Sequence, residues 1–409
     1  MKISIIGAGS TYTPELIEGI AEGPLGSEID ELVFMDADPE RLQILGELAR
    51  RMFERAGWSG RLILTTDRDA ALDSVDACLL QYRIGGSAAR LRDEGVALAH
   101  NVIGQETVGP GGWASAMRTI PPTLKIAEEL ARRSPDAWLL DFSNPVSIVT
   151  QALVDAGHRA VGLCNVAIAL QRSVAARLGI VPERVEVESA GLNHATWYRD
   201  VRVDGNSRMT ELIETATDTL AAAGQVSESR VRTERAVPSY YLRYYQDTRK
   251  ILEEQQREGT RGAEVLRIES ELLSLYADPA LTMKPALLEQ RGGAHYSSAA
   301  LDLIGALCGN RPRRLVVNAA NGRAIPDLPP ALVVEALCDV DHRGARPVPM
   351  APLGDPRIGL ISQLGEFTMA TARAAAVQDL DAAIDALALN PLVPNRALAE
   401  RLSAAMLTD

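Results

Sequence analysis

The N-terminal run KISII, followed at once by GAG and then by TPEL, constrains this chain more than any other segment. A short apolar stretch makes a strand, two glycines make a tight turn, and Pro14 suits the first turn of a helix. A strand that turns through glycine into a helix opens a βαβ unit, and such units stack into a parallel sheet. The rhythm continues downstream. ELVFMD, RLILTT, DACLLQYR, AWLLDFS and AVGLCN are short apolar runs that end in polar residues or glycine. Between several of them lie PELIEGIAEG, PERLQILGELARRMFERAG and TLKIAEELARRS, which carry helical patterning. The first half is therefore expected to form a mostly parallel sheet covered by helices, with functional residues gathered where strands end.

From about Val185 the texture changes. VEVESAGLNHATWYRDVRV reads as two alternating strands around a polar turn, and long helical segments follow. No repeat or long linker separates the halves, so two packed lobes sharing a cleft are expected, with the boundary near residues 184 and 185.

The turn itself points to a ligand. Backbone N–H groups at such a turn, with the helix N-terminus behind them, suit a dinucleotide pyrophosphate. Thr11 or Thr13 is expected to cap the helix. Tyr12 stands where the third glycine of the fingerprint belongs. Asp36 closes the next strand, 27 residues beyond Gly9, a little farther than the usual ~20. A carboxylate there accepts both ribose hydroxyls, which favours NAD over its phosphorylated relative. Gly7, Gly9, Ser10, Thr11, Asp36 and Arg41 form the expected cofactor set. Read alone, the same residues also fit an ordinary strand–turn–helix.

Composition limits the partners. A formal net charge of −12 over 409 residues argues against nucleic acid, though not against a small anion held by a few arginines. Four cysteines (Cys78, Cys164, Cys308 and Cys338) are too few for a disulfide framework in so long a chain. No apolar run approaches the ~20 residues that span a bilayer, so no membrane partner is expected. No charged-then-apolar leader is evident, because glycines interrupt the first apolar run. The expected location is the cytoplasm.

Further segments occur in order: GQETVGPGGWASAMRTIP (104–121), DFSNPVSIVTQAL (141–153), GLCNVAIAL (162–170), GLNHATWY (191–198), SYYLRYYQ (239–246), GTRGAEV (259–265), RGGAHYS (291–297) and AIPDLP (324–329). Together with GAGSTYTPEL they resemble the NAD- and divalent-metal-dependent glycosidases of glycoside hydrolase family 4. The likeness is greatest to the 6-phospho-β-glucosidases and spans nearly the whole chain. It implies an α/β fold of the lactate/malate dehydrogenase-like kind. A Rossmann-like, mostly parallel domain (1–184) would bind NAD, and an α+β domain (185–409) would carry the substrate and metal site and the oligomer contacts. A homodimer or homotetramer is the implied assembly.

The resemblance also assigns roles that spacing alone does not. Cys164, read alone, is a small buried hydrophobe, and His194 a loop residue. The family likeness makes them the two protein ligands of Mn²⁺ or another divalent metal. Tyr241 would ordinarily be called part of a helix face; the likeness makes it the catalytic base. A phenol has an unperturbed pKa of about 10, so its phenolate needs a nearby cation, for which the metal and Arg261 are the expected sources. The implied reaction oxidises the sugar at carbon 3 with NAD⁺, removes the carbon 2 proton, eliminates the aglycone, adds water and returns the hydride. It retains configuration, and hydrolysis without paired carboxylates is a known exception among glycosidases.

Substrate residues follow the same likeness. Asn165 stands where relatives acting on α-linked substrates carry an Asp proposed as leaving-group acid, which points to β-linkage. Arg90 and Arg261 resemble the family's substrate-binding arginines, and forked guanidinium hydrogen bonds suit a phosphate. Asn144 and Glu106 resemble residues that hold sugar hydroxyls. Ala167 departs from the family's Cys-Asn-Val-Pro, and His295 stands where many relatives have Tyr. Two other readings are an unphosphorylated or different sugar, and a 2-hydroxyacid dehydrogenase, although no segment matches the latter's His-containing motif. A non-catalytic sugar-binding protein would leave the metal pair and Tyr241 without purpose.

Overall fold

The computed structural model describes residues 1–291, 296–354 and 357–407. The apolar runs of the first half become β1 (Lys2–Ile6), β2 (Glu31–Met35), β3 (Arg61–Thr65), β4 (Ala77–Leu80), β5 (Trp138–Asp141) and β6 (Ala160–Gly162). The two alternating segments become β7 (Val185–Leu192) and β8 (Ala195–Val203), followed by the short β9 (Asn206–Ser207) and β10 (Val237–Pro238). Near the C-terminus lie β11 (Arg313–Ala320), β12 (Val333–Asp341) and β13 (Gly344–Pro347).

Strands β3-β2-β1-β4-β5-β6 pair in parallel in that order. The order reverses between β1 and β4, which opens a crevice at their carboxyl ends. All four residues of β4 and of β5 are buried, as continuous apolar strands must be when helices cover both faces. One such cover is the helix Pro39–Ala56, started by Asp38, whose side chain accepts from the Glu40 and Arg41 amides at 3.0 and 3.1 Å. It ends on Gly57, whose φ of 71° is a left-handed stop.

The first helix, Thr13–Glu22, differs from expectation. Its N-cap is Tyr12, and neither threonine caps it. The Thr13 hydroxyl instead donates to the Ala8 carbonyl at 2.8 Å, and Thr11 donates to Glu269 at 3.4 Å. The two hydroxyls brace the glycine loop from behind, and the loop amides are held in place without a capping side chain.

The second half does not keep all its strands apart from the first-half sheet. β11 pairs antiparallel with β6 through Asn318 and Gly162, β12 pairs with β11, and β13 with β12, giving nine strands in one sheet. The boundary expected at residue 184 falls in the 3-10 turn Pro182–Arg184, and the main sheet continues across it. Strands β7, β8, β9 and β10 form a small second sheet. It is tied to β12 by Ser189, whose hydroxyl donates to the Glu335 carbonyl at 3.0 Å.

Gly162 is the tight point of this arrangement. A Cβ there would lie 2.8 Å from Val146 Cγ1 and 3.0 Å from Asn318 Cβ, and would press on Thr150 as well. Gly162→Ala should therefore destabilise the fold by ~1–3 kcal/mol, the usual cost of overpacking. A urea midpoint equal to that of the unmodified chain would show that the β6–β11 seam has room to spare.

Candidate active site

A cleft of about 980 Å³ opens at the switch point between β1 and β4 and is closed from above by residues of the second half. Its floor is the glycine loop. Gly7 turns at φ 89°, and the Gly7 and Ala8 amides both donate to the Met35 carbonyl, at 2.9 and 3.0 Å. Gly9 donates its amide to Asp36 Oδ2 at 2.7 Å, and a Cβ at Gly9 would sit 2.7 Å from that same oxygen. Arg41 Nε donates to the Gly9 carbonyl at 2.9 Å. The other Asp36 oxygen accepts from the Asp38 amide at 2.9 Å. Each carboxylate oxygen has two lone pairs, so Asp36 keeps acceptor capacity toward ribose hydroxyls.

Gly7, Gly9, Ser10, Asp36 and Arg41 all line the cleft. Thr11 does not: it is wholly buried, with its hydroxyl toward Glu269 and its carbonyl accepting from Tyr276 at 2.9 Å. Alternation along the loop turns Ser10 and Tyr12 to the cleft wall and Thr11 to the core. Tyr12, in the third-glycine position, carries the Arg291 guanidinium over its ring at 4.3 Å, and burial pushes its hydroxyl up to about 12.

Cys164 and His194 meet. Cys164 lies two residues past β6, at the carboxyl end of the parallel sheet. His194 sits in the turn between β7 and β8 with φ 63°, a left-handed backbone that swings its ring over the cleft. The Cys164 Sγ to His194 Nε2 distance is 3.7 Å. Bond lengths of ~2.3 Å to sulfur and ~2.1 Å to nitrogen at a tetrahedral angle would place the two donors about 3.6 Å apart. One cation fits between them. Among the described residues no group of three or more His, Cys, Asp or Glu donors gathers, so further coordination would come from substrate or water. Burial pushes the Cys164 thiol up to about 12, with Glu335 adding to the effect, and pushes His194 down to about 4. Both groups are thus neutral at pH 7, and a thiolate at this place would need a cation beside it.

Tyr241 lies against this pair. It belongs to the 3-10 turn Tyr240–Leu242, not to a regular helix face, and its ring stacks on His194 at 3.5 Å with a 2° interplanar angle. Burial raises its hydroxyl well above the usual value, Cys164 and Glu106 add to that, and Arg90 counters it. Arg90, not Arg261, is the arginine poised to favour the phenolate. Arg261 is the first residue of the helix Arg261–Tyr276, half exposed, and donates to the Gln290 carbonyl at 2.8 Å.

Arg90 is itself buried between carboxylates. Its Nε donates to Glu94 at 2.8 Å, and it pairs with Glu106 at 3.1 Å. Glu106 also pairs with Arg83. Burial alone would raise the Glu106 carboxyl, but Arg83 and Arg90 hold it below the usual carboxylate range. Asn144 lines the cleft beside its cis bond to Pro145, its carbonyl accepting from Ser115 at 3.2 Å. Asn165 lines it as the N-cap residue of the helix Val166–Leu178. Ala167 is buried in the packing of that helix, and the departure from proline leaves the helix start intact. His295 lies outside the described residues.

Sequence reasoning missed Arg83, Gln105, Thr107 and Arg291. Arg83 lies three residues past β4 at the switch point, and Gln105 and Thr107 flank the residue already chosen in GQET, so position was the available signal.

The comparisons with known proteins bear on the whole chain. Two family descriptions match it: "Family 4 glycosyl hydrolase" over residues 2–180 and "Family 4 glycosyl hydrolase C-terminal domain" over residues 189–393. The chain is 39% identical to a probable 6-phospho-beta-glucosidase of Bacillus subtilis, covering 100% of this chain and 96% of the relative. It is 33% identical to the 6-phospho-beta-glucosidase of Escherichia coli, covering 100% and 94%. The Thermotoga maritima 6-phospho-beta glucosidase, solved with manganese, NAD+ and glucose-6-phosphate, superposes with a TM-score of 0.91 at 28% identity, covering 100% of this chain and 97% of that one.

The burial of His194 has a measurable consequence. The folded chain keeps it neutral down to about pH 4, whereas an unfolded chain protonates it near 6.5. Between those values the unfolded chain binds more protons, so this group's contribution to stability falls as pH drops from 6.5 toward 4. His194→Gln should flatten that slope in metal-free urea denaturation; the same slope in both chains would contradict the burial argument.

Proposed function

From the premise that the chain belongs to family 4 of the glycosyl hydrolases, we propose that it hydrolyses 6-phospho-β-glucosides, with NAD⁺ and Mn²⁺ or another divalent cation as cofactors. The observation that carries this reading is the 3.7 Å approach of Cys164 to His194 with Tyr241 stacked on the imidazole, beside the glycine loop. When bound, NAD⁺ supplies a hydride acceptor for carbon 3 of the sugar, and the cation supplies a Lewis acid for its oxygens.

The chain's own residues do the rest. Gly7, Gly9 and Ser10 receive the pyrophosphate, while Asp36 and Arg41 face the adenosine ribose. Cys164 and His194 hold the cation. Once carbon 3 is a ketone, the carbon 2 proton is acidic enough for Tyr241 to take it, with Arg90 favouring the phenolate. Glu106, kept ionised by its two arginines, and Asn144 accept sugar hydroxyls. Asn165 offers an amide where an acid would stand, so the β-linked aglycone departs with its proton drawn from water. Water would then add across the carbon 1–carbon 2 double bond, its hydroxyl going to carbon 1 with retention and a proton returning to carbon 2 from Tyr241. Carbon 3 would be restored by hydride from the reduced cofactor. The net reaction is hydrolysis, with no redox product.

Arg261 supports the phosphate assignment, because it opens a 16-residue helix whose N-terminus borders the cleft. A second reading, in which the sugar is unphosphorylated, draws on Arg90, whose charge is already shared by Glu94 and Glu106. A thiol ligand and an NAD⁺ requirement suit the reducing cytoplasm, and a homodimer or homotetramer is the proposed assembly. Among the described residues no helix is long and apolar enough to cross a membrane.

Nitrophenyl β-glucoside 6-phosphate and its unphosphorylated parent separate these readings when assayed with and without NAD⁺, Mn²⁺ and reductant. Turnover of the phosphorylated compound alone, needing all three additions and yielding no net NADH, is expected. Preference for the neutral glycoside would reject the phosphate, and steady NADH accumulation would make the protein a dehydrogenase. Tyr241→Phe should lose at least ~10²-fold in kcat and abolish exchange of the carbon 2 proton with solvent deuterium. Exchange at the normal rate would remove Tyr241 from the base role.

A further inference from the structure

The two faces of His194 that matter are its ring nitrogens, and only one points at Cys164. Nε2 faces the sulfur at 3.7 Å, while Nδ1 lies 2.8 Å from the Thr107 hydroxyl. A neutral imidazole carries one proton, and whichever nitrogen holds it cannot bind a cation. The partner of Nδ1 therefore decides whether Nε2 is a ligand.

The hydrogen-bond directions around Thr107 are fixed by backbone. Gln105 Oε1 accepts from the Thr107 amide at 2.6 Å and from the Val108 amide at 2.7 Å. Backbone N–H groups only donate, so this Gln105 atom is the carbonyl oxygen and the amide has no freedom to flip. The same oxygen stands 2.9 Å from the Thr107 hydroxyl. The Thr107 hydroxyl donates to this oxygen as a third donor, sharing lone pairs with the two amides, and the Thr107 oxygen is left with lone pairs toward the ring. Reversing the order, with Thr107 donating to Nδ1, would leave the two oxygens 2.9 Å apart with no proton between them. Gln105 is buried, and the segment leads into the helix Gly109–Arg133.

We propose that Thr107, oriented by Gln105, is a positioning residue that holds the proton of His194 on Nδ1 and so presents Nε2 as a lone pair to the metal. This rests on the proposed metal site for its purpose, but the proton's place is a property of the metal-free protein. A histidine that ligates a metal through one nitrogen generally donates through the other, and removing that acceptor costs ~10–100-fold in metal affinity. Here the acceptor is a hydroxyl whose own direction is set two residues upstream.

Two measurements on the full chain test it. In metal-free protein labelled with ¹⁵N-histidine, the His194 signals, assigned among five histidines by their loss in His194→Gln, should show Nδ1 protonated and Nε2 bare. Thr107→Val should mix the tautomers and weaken Mn²⁺ binding, followed by electron paramagnetic resonance of free Mn²⁺, by ~10–100-fold. Thr107→Ser should restore both, and NAD⁺ affinity should be equal in all three chains. A wild-type spectrum with the proton on Nε2, or a Thr107→Val chain with unaltered tautomer and Mn²⁺ affinity, would overturn the proposal. If Thr107→Val does not fold, the wild-type spectrum still decides. Failure of the unmodified chain to bind Mn²⁺ would instead refute the metal site, with the tautomer read independently.

Discussion

The seam between β6 and β11 holds the two halves of the site in register. Gly162 and Asn318 pair there, and Asn318 Nδ2 also reaches the Gly162 carbonyl at 3.4 Å. Two residues past β6 comes Cys164. From β11 the path runs to β12, where the Glu335 carboxylate accepts from Asn193 at 2.8 Å, one residue before His194. The constraint closes on itself: the sheet that carries the thiol also fixes the turn that carries the imidazole. Because Gly162 has no side chain, the antiparallel strand can approach closely enough for that loop of contacts to close.

Charge is arranged in the cleft with equal economy. Arg83 and Arg90 flank Glu106, Arg90 also meets Glu94, and Arg291 pairs with Glu269. Each buried charge has a partner, as burial demands. The Cys164–His194 pair carries no such charge, because burial leaves both groups neutral. A dication bound there, as proposed, would meet a thiol that must give up its proton, so metal uptake would release a proton.

Much of this was legible in the sequence, for identifiable reasons. KISII and GAG announced the first strand and turn because period and glycine are local signals. GLNHATWY gave the β7–β8 hairpin for the same reason. Cys164 and His194 lie 30 residues apart and were linked only by family likeness, since no local pattern encodes a meeting across two sheets. That Thr11 turns its side chain to the core was not legible, because side-chain facing inside a glycine loop depends on backbone angles that composition does not reveal. SYYLRYYQ has helical spacing, yet the chain makes a 3-10 turn at Tyr240–Leu242 before continuing, and that turn is what lays Tyr241 flat on His194. Arg90 displaced Arg261 as the charge beside the phenol, a matter of burial and distance that spacing from Tyr241 did not convey. The extension of the main sheet by β11, β12 and β13 was hidden by the chain length between the paired strands.

That length bears on how the molecule is made. β6 is complete by Gly162, but the strand that covers its open edge begins only at Arg313. A chain emerging from the ribosome at ~5–20 residues per second leaves that edge bare for roughly eight to thirty seconds while some 150 further residues are synthesised. An unpaired, apolar strand edge is a template for wrong partners. Biosynthesis of this protein therefore carries a window of exposure written into its topology, and the nascent N-terminal half must stay soluble through it without its own C-terminal cover.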